Sequence, residues 1–278
     1  KKQPECLPLP WTALQDLTYG LRRGEMWTIT AGSGMGKTQV LRELAYHIQH
    51  NSEDNIGMMF FEEPLDDSAR GMLSLGANKP LHLPTTEITG EEFDEAFKNT
   101  LGSDRYHFFE SFGSTNIDAV ISAIRYLALG CDCKYIFLDH ISILVSDQSQ
   151  GDERKALDEI ATKLKTLTIE LNIWLGMVSH SKRPSGKSHE EGGQTSLSEL
   201  RGTAGIGQLS NMVLGLERDG QNPDPTIRNT TLIRVLKNRF SGLTGPSTYL
   251  HYDRDTSRLT ETFPDDIEEG IEEFEELT

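Results

Sequence analysis

Cysteine is nearly absent from this 278-residue chain. Cys6, Cys131 and Cys133 are too few and wrongly spaced to hold zinc, and an odd number of thiols points to a reducing compartment, the cytoplasm. No uninterrupted apolar run approaches the ~20 residues of a membrane span, and no secretory leader is visible, which excludes a membrane partner. The chain has no internal repeat, and it does not open on Met, as expected of a processed chain or an excised domain. Two nucleotide-handling classes lose their signatures: there is no Asn-Lys-x-Asp segment to read guanine and no Leu-Ser-Gly-Gly-Gln of transporter ATPases. Positive charge is short as well, with 27 Lys and Arg against 43 Asp and Glu for a net −16. Taken alone, that balance argues against a nucleic-acid partner. Nine of the acidic residues, with no basic ones, fall after residue 260, so the body can still carry a basic stripe.

What the chain has is glycine in one decisive place. Residues 31–38 read AGSGMGKT, after an apolar, β-branched run at 26–30 and before a segment with Val40, Leu41, Leu44, Ala45 and Ile48 at helical spacing. Strand, glycine loop and helix in that order are the setting of a phosphate-binding P-loop. Gly32, Gly34 and Gly36 let the backbone curl so that successive N–H groups from Ser33 through Met35 to Gln39 face one anion. The following helix adds its positive end. Lys37 then reaches the β- and γ-phosphates of ATP or dTTP, and the Thr38 hydroxyl holds Mg2+. The strict pattern has Gly where this chain has Ala31, a position that takes a small residue if its backbone angles are ordinary.

Further strands are predicted at 56–61, 106–109, 134–138 and 173–178, with helices opening near Pro64 and spanning 117–129 and 152–171. Continuous apolar strands separated by helices predict an α/β fold with a mostly parallel central sheet covered on both faces. Segments 212–216, 231–236 and 247–252 alternate and are expected to extend it as antiparallel strands. The predicted layout is an N-terminal arm and lead-in over 1–23, one domain over 24–260, and an acidic, disordered tail over 261–278. Loops 181–199 and 219–229 are long and polar.

Ligands in such sheets sit beyond the carboxyl ends of the strands, where Glu62, Asp139 and His180 all fall. Asp139 suits a magnesium-holding carboxylate; any Asp ending a strand looks similar, so the P-loop upstream supplies the weight. Glu62 is placed to orient and deprotonate water, whereas Glu63 fits a helix-start carboxylate. His180 reads either as a γ-phosphate sensor or as a satisfied histidine near the surface.

Together AGSGMGKT, FFEE (60–63), LDHIS (138–142) and SHSK (179–182) resemble the RecA-type core of DnaB-class replicative helicases. The closest resemblance is to the helicase half of phage primase–helicases, with Twinkle as a cousin. GDERK (151–155), HEEG (189–192), LRG (200–202), LER (216–218) and KNRFSG (237–242) continue it in order over nearly the whole chain. The resemblance implies a RecA-like P-loop NTPase forming a hexameric ring that translocates 5′ to 3′ on single-stranded DNA and unwinds forked DNA. It implies roles for Glu62 as catalytic base, Asp139 as metal carboxylate, His180 as sensor and Arg239 as an arginine finger acting on a neighbour, with Lys237 on the same strand face. Gln208 matches a position coupling nucleotide to DNA, and Arg218 and Tyr252 match residues that sandwich the base. Phe240 matches an aromatic exposed at the fork. The family's DNA loops map to 142–152, 181–199 and 219–226, with Lys182 the leading contact and Arg183 and Lys187 beside it. Gly207 departs from a basic residue expected there, and the third loop is longer and proline-rich. A primase domain upstream, a polymerase contact through the tail around Phe274, and a phage-infected bacterial host complete the expectation. A recombinase or clock-type ATPase of the same superfamily, building filaments, is the alternative.

Overall fold

Strands apolar at every position need cover on both faces, and the helices between them supply it. The computed structural model describes residues 5–110, 116–141, 150–180, 187–188, 191–200 and 204–267. Along them run β1 (Cys6–Leu7), α1 (Thr12–Thr18), β2 (Leu21–Arg22), β3 (Met26–Ala31), α2 (Lys37–Asn51), β4 (Asn55–Phe60), α3 (Leu65–Ala77), α4 (Gly90–Lys98) and β5 (Tyr106–Phe108). Then come α5 (Ile117–Leu129), β6 (Cys133–Asp139), α6 (Gln150–Glu170), β7 (Trp174–His180), α7 (Ala204–Leu209) and β8 (Met212–Glu217). A short α8 (Pro225–Arg228) precedes β9 (Thr230–Asn238), β10 (Gly245–Asp253) and β11 (Arg258–Thr262).

Among the described residues the main sheet has nine strands in the order β11-β10-β9-β8-β3-β7-β6-β4-β5. From β8 to β5 all neighbours are parallel, and β9, β10 and β11 add antiparallel pairs at one edge. Alternate strand residues feed two cores. Trp27, Met58, Phe137 and Trp174 face α1, α2 and α3, whereas Met26, Met59, Leu138 and Leu175 face α5, α6 and α7. The apolar stripe of α2 is sealed, with Val40, Leu41, Leu44, Ala45 and Ile48 each at most 2% exposed. Burial of each larger side chain contributes about 1.5–3 kcal/mol, and this fixes the helix that carries Lys37 and Thr38 beneath the sheet edge.

Three expectations are corrected. Segment 212–216 is not part of the antiparallel extension: β8 pairs parallel with β3, Trp27 opposite Met212, and the reversal comes one strand later. The first 23 residues are more than an arm, because Leu7, Leu9, Trp11, Leu14 and Leu21 all enter the core. The sheet also runs past the predicted tail boundary. Glu261, in β11, accepts the Thr12 and Ala13 N–H groups at 2.7 and 3.0 Å, capping α1 where Trp11 has no side chain able to do so. The predicted tail from 268 on, including Phe274, lies outside the described residues, as do 142–149 and 181–186 of the two predicted DNA loops.

Candidate active site

β3 delivers Ala31, fully buried and extended, to the mouth of the loop, so the missing first glycine costs nothing there. Gly34 and Gly36 take φ of +70° and +80°, backbone that an L side chain rarely adopts, and α2 starts directly after Gly36. Lys37 lies folded back over the loop. Its Nζ donates to the Gly32 carbonyl at 2.6 Å, to the Ala31 carbonyl at 3.3 Å and to His180 Nδ1 at 3.2 Å. Burial pushes its pKa down, opposed by the charges of Asp139 and Glu62. Thr38 Oγ1 donates to Asp139 Oδ2 at 2.5 Å. Burial pushes the Asp139 carboxyl up, and the Thr38 bond resists. A buried carboxylate beside a hydroxyl is a pair of hard oxygen donors, and it fits Mg2+.

β4, β6 and β7 end side by side and bring Glu62, His140 and His180 together. His140 Nε2 is 2.8 Å from Glu62 Oε1, His180 Nε2 is 3.7 Å from the same oxygen, and the two imidazoles touch through their Nε2 atoms. Glu62 is 47% exposed and reachable from solvent. Its neighbour Glu63 turns away to an ion pair with Arg42 at 2.5 Å and accepts the Ser68 hydroxyl.

Beside the loop, Arg218 donates to the Gly34 carbonyl at 2.6 Å. Arg218 and Tyr252 line a cavity of about 170 Å³ with Met35, Gly36, Gln39 and Leu259. Gln39 also donates to the Ser257 carbonyl, tying α2 to the turn before β11.

Arg239 is elsewhere. It follows Asn238, which pairs with Met212, and Met212 lies opposite Trp27, near the start of β3. The four strand steps from Trp27 to Ala31 alone span roughly 13 Å, so Arg239 occupies the opposite end of the sheet from the loop. There its guanidinium donates to the Gln208 carbonyl. Lys237 Nζ reaches the same carbonyl at 2.8 Å and that of Gly207 at 2.5 Å. Burial and Arg239 push Lys237 down to about 8. Lys165 joins them, donating to Asn211 Oδ1 at 2.7 Å.

With this geometry in hand, the comparison with protein families is decisive: the DnaB-like helicase C-terminal domain matches residues 7–261. The chain belongs to this DnaB-like family. It is 36% identical over 252 residues to the DNA helicase/primase of Enterobacteria phage T3, covering 88% of this chain and 44% of that protein. It spans about half the length of the curated relatives it matches. Two solved structures share the fold, each with TM-score 0.75 over 94% of this chain. One is a DnaB-like replicative helicase described with its interactions with primase, 17% identical and 64% covered; the other is a separately solved ATPase domain, 16% identical and 94% covered. The sheet and helices are therefore those of RecA-like helicase ATPase domains. No helix among the described residues is long and apolar enough to cross a membrane.

The remaining predicted positions of this DnaB-like domain are spread out. Phe240 is half-exposed, its ring 5.8 Å from that of Tyr19 and 3.9 Å under the Arg22 guanidinium. Lys187 is exposed and borders a second cavity with Arg218 and Asp219. Lys182 and Arg183 lie outside the described residues.

Sequence reasoning passed over two features. His140 stood inside the LDHIS segment but was not singled out, although an imidazole directly after a strand-ending carboxylate was a signal. The other is a buried knot: Glu217 accepts the Thr195 N–H at 2.8 Å, the Thr195 hydroxyl at 2.9 Å and Arg234 Nε at 2.7 Å. Thr195 lies so close over Gly215 that a Cβ there would meet its hydroxyl at 2.0 Å. The knot stitches the end of the predicted second DNA loop to the strand carrying Arg218.

Proposed function

We propose that this chain is the motor of a replicative DNA helicase. Nucleoside triphosphate, ATP or dTTP, is hydrolysed at the boundaries of a hexameric ring, which moves 5′ to 3′ along single-stranded DNA and parts forked duplex. One observation carries this reading: a complete phosphate-binding end and a cluster of cations sit at opposite ends of one sheet, as a composite site between neighbours requires. Lys37 leaves its own carbonyls for the β- and γ-phosphates, and the base enters the cavity between Arg218 and Tyr252. Bound Mg2+, held by Thr38 and Asp139, supplies positive charge that neutralises the phosphates. Glu62 takes the proton of a water whose oxygen bonds to the γ-phosphorus as the bond to the β-phosphate oxygen breaks. His180 senses the γ-phosphate, and Arg239 of a neighbouring subunit stabilises its developing charge with Lys237 beside it. Gln208, whose carbonyl both cations hold, relays occupancy toward the DNA.

DNA passes Lys182, Arg183 and Lys187, and Phe240 meets the fork. An upstream primase, a polymerase held by the acidic tail and the cytoplasm of a phage-infected bacterium complete the proposal. The test is strand displacement on forks with a single 5′ or 3′ tail, together with electron microscopy in nucleotide and DNA. Rings and 5′-tail dependence are expected. Helical filaments without displacement would turn the reading to a recombinase-type ATPase.

A further inference from the structure

The mechanism above leaves one buried histidine without a task. His140 ends β6 beside Asp139 and is 5% exposed. Its ring stands at 88° to that of His180 with centroids 3.9 Å apart, and both Nε2 atoms converge on Glu62 Oε1. The polarity of the hydrogen bonds follows from Lys37. An ammonium only donates, so His180 Nδ1, 3.2 Å from Lys37 Nζ, accepts, and the proton of that ring belongs on Nε2, facing Glu62. At 2.8 Å His140 Nε2 is the nearer donor to the same carboxylate oxygen.

We infer that His140 is a positioning residue. Its Nε2–H holds the Glu62 carboxylate and braces His180, so that Lys37, bound to His180, is linked to the base through two imidazoles. Withdrawal of Lys37 onto phosphate removes the partner of His180 Nδ1 and frees that ring, while His140 keeps Glu62 aimed. This rests on the reading of Glu62 as the base.

The same three atoms lie within 4.8 Å of one another and are donors that a transition metal accepts. The outer ring nitrogens favour hydrogen bonding instead. A metal-bound imidazole gives its other N–H to an acceptor, yet His140 Nδ1 is buried with no partner and His180 Nδ1 faces a cation.

The test compares His140→Phe, which cannot donate, with His140→Gln, which carries an N–H of similar reach. Turnover is measured with Mg2+, triphosphate and single-stranded DNA. His140→Phe should lower kcat ~10–10²-fold with KM nearly unchanged, as for a misaimed catalytic group, and His140→Gln should recover most of it. A Phe variant as fast as the parent, or a Gln variant no better than Phe, would overturn the inference. A second measurement needs no turnover. In the nucleotide-free chain, Lys37→Ala should move the imidazole 15N signals of both His180 and His140; movement of neither would overturn the link. Submicromolar Zn2+ binding lost in both His140 variants, with turnover in Mg2+ unaltered, would make the trio a metal site instead. A parent chain that hydrolyses nothing would sink the proposed function, and the 15N signals would still decide this inference.

Discussion

At the carboxyl end of the parallel strands, Lys37, His180, His140 and Glu62 are bonded to one another, and Thr38 is bonded to Asp139. At the amino end, Lys165, Lys237 and Arg239 donate to carbonyl and amide oxygens. The two ends differ in what it takes to recruit them. Separating a hydrogen bond to a carbonyl costs about 0.5–1.5 kcal/mol net, whereas stripping one partner from a buried ion pair costs about 3–5 kcal/mol. The cations of the amino end are therefore easily redirected to an anion arriving from outside the chain. The carboxyl end is built to hold nucleotide and the amino end to finish someone else's.

The largest effect should come from breaking that division. Arg239→Ala should bind nucleotide normally and lose ~10³–10⁵ in assembled hydrolysis. Mixing it with Lys37→Ala subunits should restore part of the rate, with mixed assembly verified by native mass spectrometry. Verified mixtures that stay inactive would mean that each end serves its own chain. Next in size, Glu62→Gln should keep nucleotide affinity and lose ~10² or more in rate; an equal loss of affinity would move Glu62 from chemistry to binding.

Lys237 sharpens the comparison through pH. Its pKa is depressed to about 8 from 10.5, so it loses its charge as pH rises past 8. Assembled turnover should fall a few-fold between pH 7 and 9, and Lys237→Arg should abolish the fall. The sign for stability is opposite. Between about 8 and 10.5 the unfolded chain holds the proton that the folded chain has released, so this residue's contribution to stability rises with pH. Equal signs in the two measurements would reject the assignment. The smallest effect concerns the knot near the carboxyl end. Thr195→Val removes one of the donors to Glu217 and should cost about 1 kcal/mol in urea denaturation, with basal hydrolysis little altered.

Much of this was legible because it was local. The P-loop sits in a run of eight residues, α5 spans the predicted 117–129, and Asp139 follows an apolar strand as its pattern requires. What was not legible depends on pairing across the chain. The pattern of residues 212–216 suits parallel and antiparallel neighbours alike, and only its place beside β3 fixes the direction. Pro8 and Pro10 disguise a segment whose Leu9 and Trp11 are buried. Glu217 and Thr195 are 22 residues apart, with no periodicity to join them. His140 escaped because its meaning lies in two other strands, where Glu62 and His180 wait.

Lys37 folded onto Ala31 and Gly32 makes the loop its own competitive ligand. A lone inorganic anion must displace two carbonyls and an imidazole with nothing to offer elsewhere. A triphosphate brings a base and a sugar that gain contacts near Arg218 and Tyr252 as the lysine swings away. The exchange thus sets an entry threshold that stray phosphate does not meet. It also works in reverse: once the terminal phosphate is cut, the internal ligand returns and helps eject what remains, so the vacated loop is never a bare hole.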